Sequence, residues 1–122
     1  MTGRSDVPKS IDWLYHRKSC ATCRLAEGYR EGAGIAVREA ILASKVKYGP
    51  AEALALLEGI DTIVAAKGTK VRTLDLKDDR PEDGAILALL MGPTGNLRAP
   101  TAKVGKTLLV GFSAEAYAEV LG

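Results

Sequence analysis

Short runs of hydrophobic residues alternate with helical patterns along this chain, and together they predict an α/β fold. Residues 11–15 are typical of a buried strand, and residues 21–31 of a helix that ends at the glycines of positions 32 and 34. A second strand is predicted at residues 35–39. Because strand, helix and strand follow one another within about 30 residues, we expect a right-handed crossover between parallel strands.

The middle of the chain is harder to interpret. A helix begins at Pro50, and residues 61–76 follow it with many β-branched side chains. The turn signal Lys67-Gly68-Thr69 favours two short extended pieces, although residues 61–67 could instead form a helical turn. The apolar spacing within residues 81–91 then predicts another helix.

The last quarter of the chain predicts a hairpin and a helix. Residues 97–104 and 107–110 flank Gly105-Lys106, which is a pattern typical of a hairpin. Ser113 is the expected N-cap of a final helix over residues 115–121.

Size and composition indicate one domain. The chain has 122 residues, of which 47% are hydrophobic, enough for one core and too few for two full domains. We expect residues 1–10 to form a flexible leader and residues 11–122 to form the domain, as a monomer. No stretch approaches the roughly 20 apolar residues of a membrane span, and the polar start lacks a signal-peptide core, so a cytoplasmic protein that does not bind membranes is expected.

The charge is nearly balanced overall, with a formal net charge of +2. That excess is too small for the concentrated basic surface that direct nucleic-acid binding usually requires. Residues 1–30 nevertheless hold more basic than acidic side chains, so the positive charge is concentrated around the cysteines.

Cys20 and Cys23 are the only cysteines and form a CxxC motif. A strand, a short basic loop and then CxxC at the start of a helix is a redox arrangement. The helix start and the nearby Arg17, Lys18 and Arg24 favour a thiolate, so Cys20 is the expected nucleophile and Cys23 the thiol that resolves its mixed disulfide. A structural disulfide is a poor explanation in a reducing compartment, and two inert buried thiols are the bland alternative.

His16 lies four residues before Cys20 and could tune the thiolate or shuttle a proton, or it could face solvent. Thr22, inside the motif, could cap the helix, contact the sulfur or simply fill space. His16, Cys20 and Cys23 could also ligate a metal, but a closed zinc site needs a fourth ligand that no other cysteine or histidine can provide. We therefore predict no metal site and no bound cofactor.

The order of these motifs resembles the thioredoxin fold and, more narrowly, the arsenate reductase-like family that also contains the transcription regulator Spx. The similarity lies in Leu14-Tyr15-His16 before the CxxC, in Leu97-Arg98-Ala99-Pro100 and in the hairpin that ends at Val110-Gly111-Phe112. It implies a four-stranded mixed β-sheet flanked by helices. It also implies that Pro100 is a cis proline facing Cys20.

The chain departs from the resemblance where the family binds its oxyanion. Family arsenate reductases carry an arginine directly before the proline, and Ala99 stands there instead. Arg98 is one residue earlier, on the opposite side of an extended segment, so it is predicted to shape the site or bind substrate in another way. The family's hairpin arginine is replaced by Lys106 or a neighbour. Fewer guanidinium groups weaken a bidentate grip on arsenate.

Three functions follow from these residues. The leading prediction is a thiol-disulfide oxidoreductase acting on an oxidised thiol, a small disulfide or a disulfide-containing protein, with glutathione or the thioredoxin system as electron donor. The alternatives implied by the resemblance are a redox-sensing regulator that binds the RNA polymerase alpha subunit, as Spx does, and a reductase of arsenate or another oxyanion.

Overall fold

Eight strands and four helices follow one another along the residues that this computed structural model describes, which are 10–18, 20–67, 70–93 and 95–121. The strands are β1 (Ser10–Ile11), β2 (Trp13–His16), β3 (Ala36–Val37), β4 (Ala40–Leu42), β5 (Thr62–Lys67), β6 (Lys70–Asp75), β7 (Thr101–Val104) and β8 (Thr107–Val110). The helices are α1 (Ala21–Ala33), α2 (Pro50–Ala55), α3 (Asp83–Leu90) and α4 (Ala114–Leu121).

The central sheet is mixed and has six strands, in the order β4-β2-β7-β8-β5-β6. The parallel pairing of β2 with β4 confirms that α1 connects two parallel strands. The predicted number of four strands is wrong, because β5 and β6 add a hairpin beyond β8. The apolar residues Ile63, Val64 and Ala65 pair with β8, whose outer edge would otherwise leave buried backbone groups unpaired.

The two expected N-terminal strands are each divided. Asp12 interrupts the first: its backbone N–H donates to Lys103 O, and its carboxylate accepts from the Gly105 N–H. The second prediction, residues 35–39, covers β3 and the loop that follows it. Its partner in the main sheet is β4, which lies just beyond the predicted end and pairs with Leu14, Tyr15 and His16.

Side chains alternate between the two faces of the sheet, and apolar residues occupy both, so each face is covered by helices and buried. Tyr15, Ile63 and Val110 face the layer of α2 and α3, while Leu14 and Leu109 face the layer of α1 and α4. This arrangement confirms an α/β fold with helices on both sides of a mixed sheet.

Several local predictions hold. The two extended pieces predicted at residues 61–76 are β5 and β6, while Gly68 and Thr69 of the predicted turn lie outside the described residues. The Ser113 hydroxyl accepts from the Ala116 N–H at the start of α4. The predicted leader lies outside the described residues up to position 9, and Ser10 begins β1. Within the described part of the chain, no helix has the length and apolar content to span a membrane.

Candidate functional site

Cys20 is the N-cap of α1, just after the turn that follows β2. The Cys20 backbone is extended, with φ −96° and ψ 123°. The Cys23 N–H donates to Cys20 Sγ at 3.3 Å. An N-cap side chain satisfies one of the amide donors that the first turn of a helix leaves free, a role usually filled by oxygen. Here sulfur fills it. The structure therefore contains the strand, CxxC and helix arrangement in the predicted order.

Cys23 lies one turn into α1 and is buried, with 4% of its surface exposed. Its Sγ accepts the Arg17 N–H at 3.4 Å. Burial is the main cause, and hydrogen bonding to the Cys20 sulfur the second, that raises the pKa of Cys23 to about 12. At neutral pH Cys23 is therefore a protonated thiol, whereas the half-buried Cys20 is the sulfur open to a reaction partner.

The loop before β7 forms the other wall of the site. The Ala99–Pro100 peptide bond is cis, which is the geometry that the resemblance implies. Ala99 O lies 3.7 Å from Cys20 Sγ, while Pro100 O accepts the Gly111 N–H at 2.8 Å. The Thr101 hydroxyl donates to Arg98 O at 2.6 Å and holds the other side of the loop. The structure thus brings Cys20, Cys23 and Pro100 together.

Arg98 points away from this group. Its Nη2 donates to Ala66 O at 2.7 Å and its Nη1 to Leu89 O at 3.3 Å, so the guanidinium contacts β5 and α3. Burial lowers the pKa of Arg98. Gly111, at φ 78°, lies against the hydrogen bond between Arg98 and Ala66. A side chain at position 111 would collide with Ala66 O. Arg98 thus holds the loop from behind and makes these contacts instead of replacing the arginine missing at Ala99.

Lys106 does not compensate for the arginine missing at position 99 either. β7 begins opposite Tyr15, near the dithiol, and runs away from it, so the turn at Gly105-Lys106 lies at the far end of the sheet. Lys106, which the sequence comparison offered with its neighbours in place of the family's hairpin arginine, therefore lies away from the dithiol. The reason is that the hairpin turn and the CxxC lie at opposite ends of antiparallel strands.

His16 ends β2 and is half-buried. Burial, and secondarily the charge of Arg30, lowers the pKa of His16, so its ring is neutral at physiological pH. Thr22 lies in the first turn of α1 and is also half-buried. Both residues are next to the dithiol in the chain, but the hydrogen bonds to the two sulfurs come from backbone N–H groups.

A cavity of about 640 Å³ opens beside the turn that contains Arg17. Its lining holds four basic side chains and no acidic one, namely Arg17, Lys18, Lys45 and Lys47. In the described residues none of the four is in an ion pair. Because Arg17 also donates its N–H to Cys23, this thiol-side cavity borders the dithiol. The four cations give this side of the dithiol a positive potential, which favours negatively charged molecules.

Two buried polar groups lie behind the CxxC. Arg30 is 8% exposed and Tyr117 is fully buried, and neither Arg30 Nη1 nor the Tyr117 hydroxyl has a hydrogen-bond partner among the described residues. Burial raises the pKa of Tyr117 to about 12. The sequence predicts packing and hydrogen bonding for Tyr117, whereas Arg30 was not singled out. The signal for Arg30 was its spacing, because Cys23, Ala26 and Arg30 lie on one face of α1.

Among the residues that the structure describes, no group of three or more histidine, cysteine and acidic side chains is placed to hold a metal ion. His16, Cys20 and Cys23, the three ligands considered from the sequence, do not form such a group.

Known proteins are similar to this chain over nearly its whole length. The model of the ArsC family matches residues 15–120, a span that includes both cysteines and Pro100. A solved structure titled YFFB (PA3664) protein is similar, with a TM-score of 0.54 and 22% sequence identity, over 90% of this chain and 98% of that one. At this identity the similarity concerns the fold alone, and it confirms the predicted thioredoxin-like fold. No curated protein matches the chain.

Proposed function

The chain belongs to the ArsC family, and we propose that within this family it is a thiol-disulfide oxidoreductase in which Cys20 attacks and Cys23 resolves. The observation that carries this proposal is the asymmetry of the two sulfurs. Cys20 is half-exposed at a helix N-cap, whereas Cys23 is buried and holds its proton. A nucleophile and a resolving thiol need this division of roles.

The reaction has two exchanges. The Cys20 thiolate attacks one sulfur of a disulfide, forms a mixed disulfide with it and expels the other sulfur as a thiolate. Cys23 then loses its proton and attacks the Cys20 sulfur. This closes the Cys20–Cys23 disulfide and expels the second half of the substrate as a thiolate. The substrate is reduced by two electrons, and an external thiol, glutathione or the thioredoxin system, restores the dithiol.

Two features support a sulfur substrate over an oxyanion. Ala99 offers no guanidinium beside Cys20, and Arg98 directs its own towards Ala66 O and Leu89 O. Bidentate guanidinium donors close to the nucleophile would strengthen the binding of an oxyanion. A disulfide needs only access to Cys20 and a second sulfur.

Stoichiometry with a symmetric aromatic disulfide, 5,5′-dithiobis(2-nitrobenzoate), tests the proposal. The reduced full-length chain should release two equivalents of aromatic thiol and finish with a Cys20–Cys23 disulfide. Cys23→Ser should release one and retain the aromatic adduct on Cys20 in its mass spectrum. Cys20→Ser is the matched control and should react far more slowly. Release of one equivalent by the natural sequence, with a stable adduct, would rule out Cys23 as the resolving thiol.

A comparison of the reduced chain with the chain oxidised to the Cys20–Cys23 disulfide separates enzyme from regulator. If the protein is a regulator of the Spx type, the disulfide should change its affinity for the RNA polymerase alpha subunit. If it is an enzyme, oxidised and reduced forms should bind that subunit equally, and turnover of the model disulfide should continue with glutathione or thioredoxin and its reductase.

A further inference from the structure

A second cavity, of about 710 Å³, lies at the same end of the sheet as the dithiol but beyond the cis-proline loop. Its lining includes four basic side chains and no acidic one: Lys67, Lys70, Arg72 and Arg98. The rest of the lining is mostly apolar and includes Ala65, Leu89, Met91 and Pro93. We call this the basic cavity.

Strand alternation explains how the charges converge. Ala65 and Lys67 lie on one face of β5, and their partners across the hairpin are Arg72 and Lys70. Further along, the same face carries Ile63 and Leu74, which pack in the core under α3. The face is therefore apolar where α3 covers it and cationic where α3 has ended.

The positive charges of the basic cavity are not balanced. Lys67 and Lys70 are directly opposite each other across the hairpin, where like charges repel. In the described ranges, none of the four cations of the cavity is in an ion pair. A bound anion would remove this repulsion.

Arg98 contributes a cation that is already fixed in position. Its hydrogen bonds go to the neutral carbonyls of Ala66 and Leu89, which orient the guanidinium without neutralising it. A half-buried, oriented guanidinium binds a carboxylate or phosphate at a smaller entropic cost than a free side chain. The flexible lysines of the hairpin then suit a second negative group.

We propose that the basic cavity binds a small organic anion that carries at least two negative charges, as carboxylates or phosphates, on an apolar body. The apolar body lies against Leu89 and Met91, and the charged groups meet Arg98 and the lysines of the hairpin. Strands β7 and β8 separate β5 from β2, which places this site about 14 Å from the strand that leads to Cys20. The inference stands independently of the proposed redox reaction.

Titration of the ¹⁵N-labelled full-length chain, reduced with dithiothreitol, tests the site. Phenyl phosphate and phthalate are the probes, and their comparison distinguishes phosphate from carboxylate recognition. Saturable shifts are expected at the amides of Lys67, Lys70, Arg72 and Leu89. Inorganic phosphate should bind at least five-fold more weakly than phenyl phosphate, because it lacks the apolar body. Equal binding of the two would overturn the apolar part of the proposal.

The variant Lys67→Gln with Arg72→Gln should weaken the better probe at least ten-fold. Both side chains are exposed, so the fold does not depend on them. Lys77→Gln with Lys106→Gln is the matched control, because it removes the same charge from exposed positions outside the cavity. Equal weakening in both variants, or no saturable shift up to 10 mM probe, would overturn the site. The lysines would then serve only to protect the edge strand β6 from pairing with other chains.

Discussion

Ala99 O lies 3.7 Å from Cys20 Sγ, although 79 residues separate the two in the chain. The nucleophile therefore works in a cleft with two walls: the first turn of α1 on one side and the cis-proline loop on the other. A substrate that reaches Cys20 must lie along the backbone of this loop. The reactivity of Cys20 thus depends on how the loop is held, which involves Thr101, Gly111 and Arg98.

The two thiols should differ sharply in their alkylation. With iodoacetamide at pH 7, Cys20 is expected to react at least 100-fold faster than Cys23, because Cys23 is buried and its pKa is raised to about 12. Raising the pH from 7 to 9 increases the thiolate fraction of Cys23 about ten-fold per unit, so its slow rate should rise accordingly. Mass spectrometry of peptides from timed samples measures both rates. Equal rates at pH 7 would contradict the assigned roles.

Charge around the thiol-side cavity should select anionic disulfides. Lys45→Gln with Lys47→Gln should lower kcat/KM for dianionic 5,5′-dithiobis(2-nitrobenzoate) roughly three- to ten-fold at low salt, because fewer positive charges attract it. The neutral 2,2′-dipyridyl disulfide should be unaffected. The difference should shrink at 0.5 M NaCl, where screening is strong. The charge-matched control is Lys77→Gln with Lys106→Gln, and an equal loss in that variant would speak against a local effect.

A pair of tyrosines should respond oppositely to loss of the hydroxyl. Tyr15 donates its hydroxyl to Val46 O at 2.9 Å, so Tyr15→Phe should lower the free energy of unfolding by about 1 kcal/mol. The Tyr117 hydroxyl is buried without a partner among the described residues, so Tyr117→Phe should be neutral or stabilising, by up to about 1 kcal/mol. Urea denaturation of the reduced chain compares the two. A destabilising Tyr117→Phe would show that the hydroxyl does have a partner.

Alanine substitutions at two glycines with similar φ angles distinguish the cost of a left-handed backbone from the cost of a steric clash. Gly59 has φ 81° with open space around it, so Gly59→Ala should cost about 1 kcal/mol of stability from the left-handed backbone alone. Gly111 has φ 78°, and an added methyl group meets Ala66 O, so Gly111→Ala should cost roughly 3 kcal/mol. Urea denaturation gives both values. Similar losses of stability in the two variants would mean that β5 and Arg98 move at little cost to make room for the methyl group.

The elements that could be predicted from sequence were those with a strong local signal. The CxxC at a helix start, the hairpin at Gly105-Lys106 and the Ser113 cap each depend on residues close together in the chain. The hairpin of β5 and β6 was also visible in its β-branched residues. Its place beside β8 was not, because the pairing of strands is decided by distant apolar partners.

The contacts of the candidate site were less accessible to prediction. Strand alternation predicted that Arg98 does not take over the role of the missing arginine, but its bonds to Ala66 O and Leu89 O depend on the added hairpin. The distance of Lys106 from the dithiol could not be predicted, because the sequence of a hairpin does not state which end of the sheet its turn occupies. The Arg17 N–H that donates to Cys23 belongs to the backbone, and side-chain patterns carry no signal for it.

The order of strands in the sheet has a consequence for synthesis on the ribosome. β2, which leads to the cysteines, takes its neighbour β7 from residues 101–104, so the central pairing cannot form until most of the chain has emerged. Until then the dithiol of a nascent chain lacks the wall that Ala99 provides beside Cys20. The emergence of β7 is therefore the event that completes the cleft around the two cysteines.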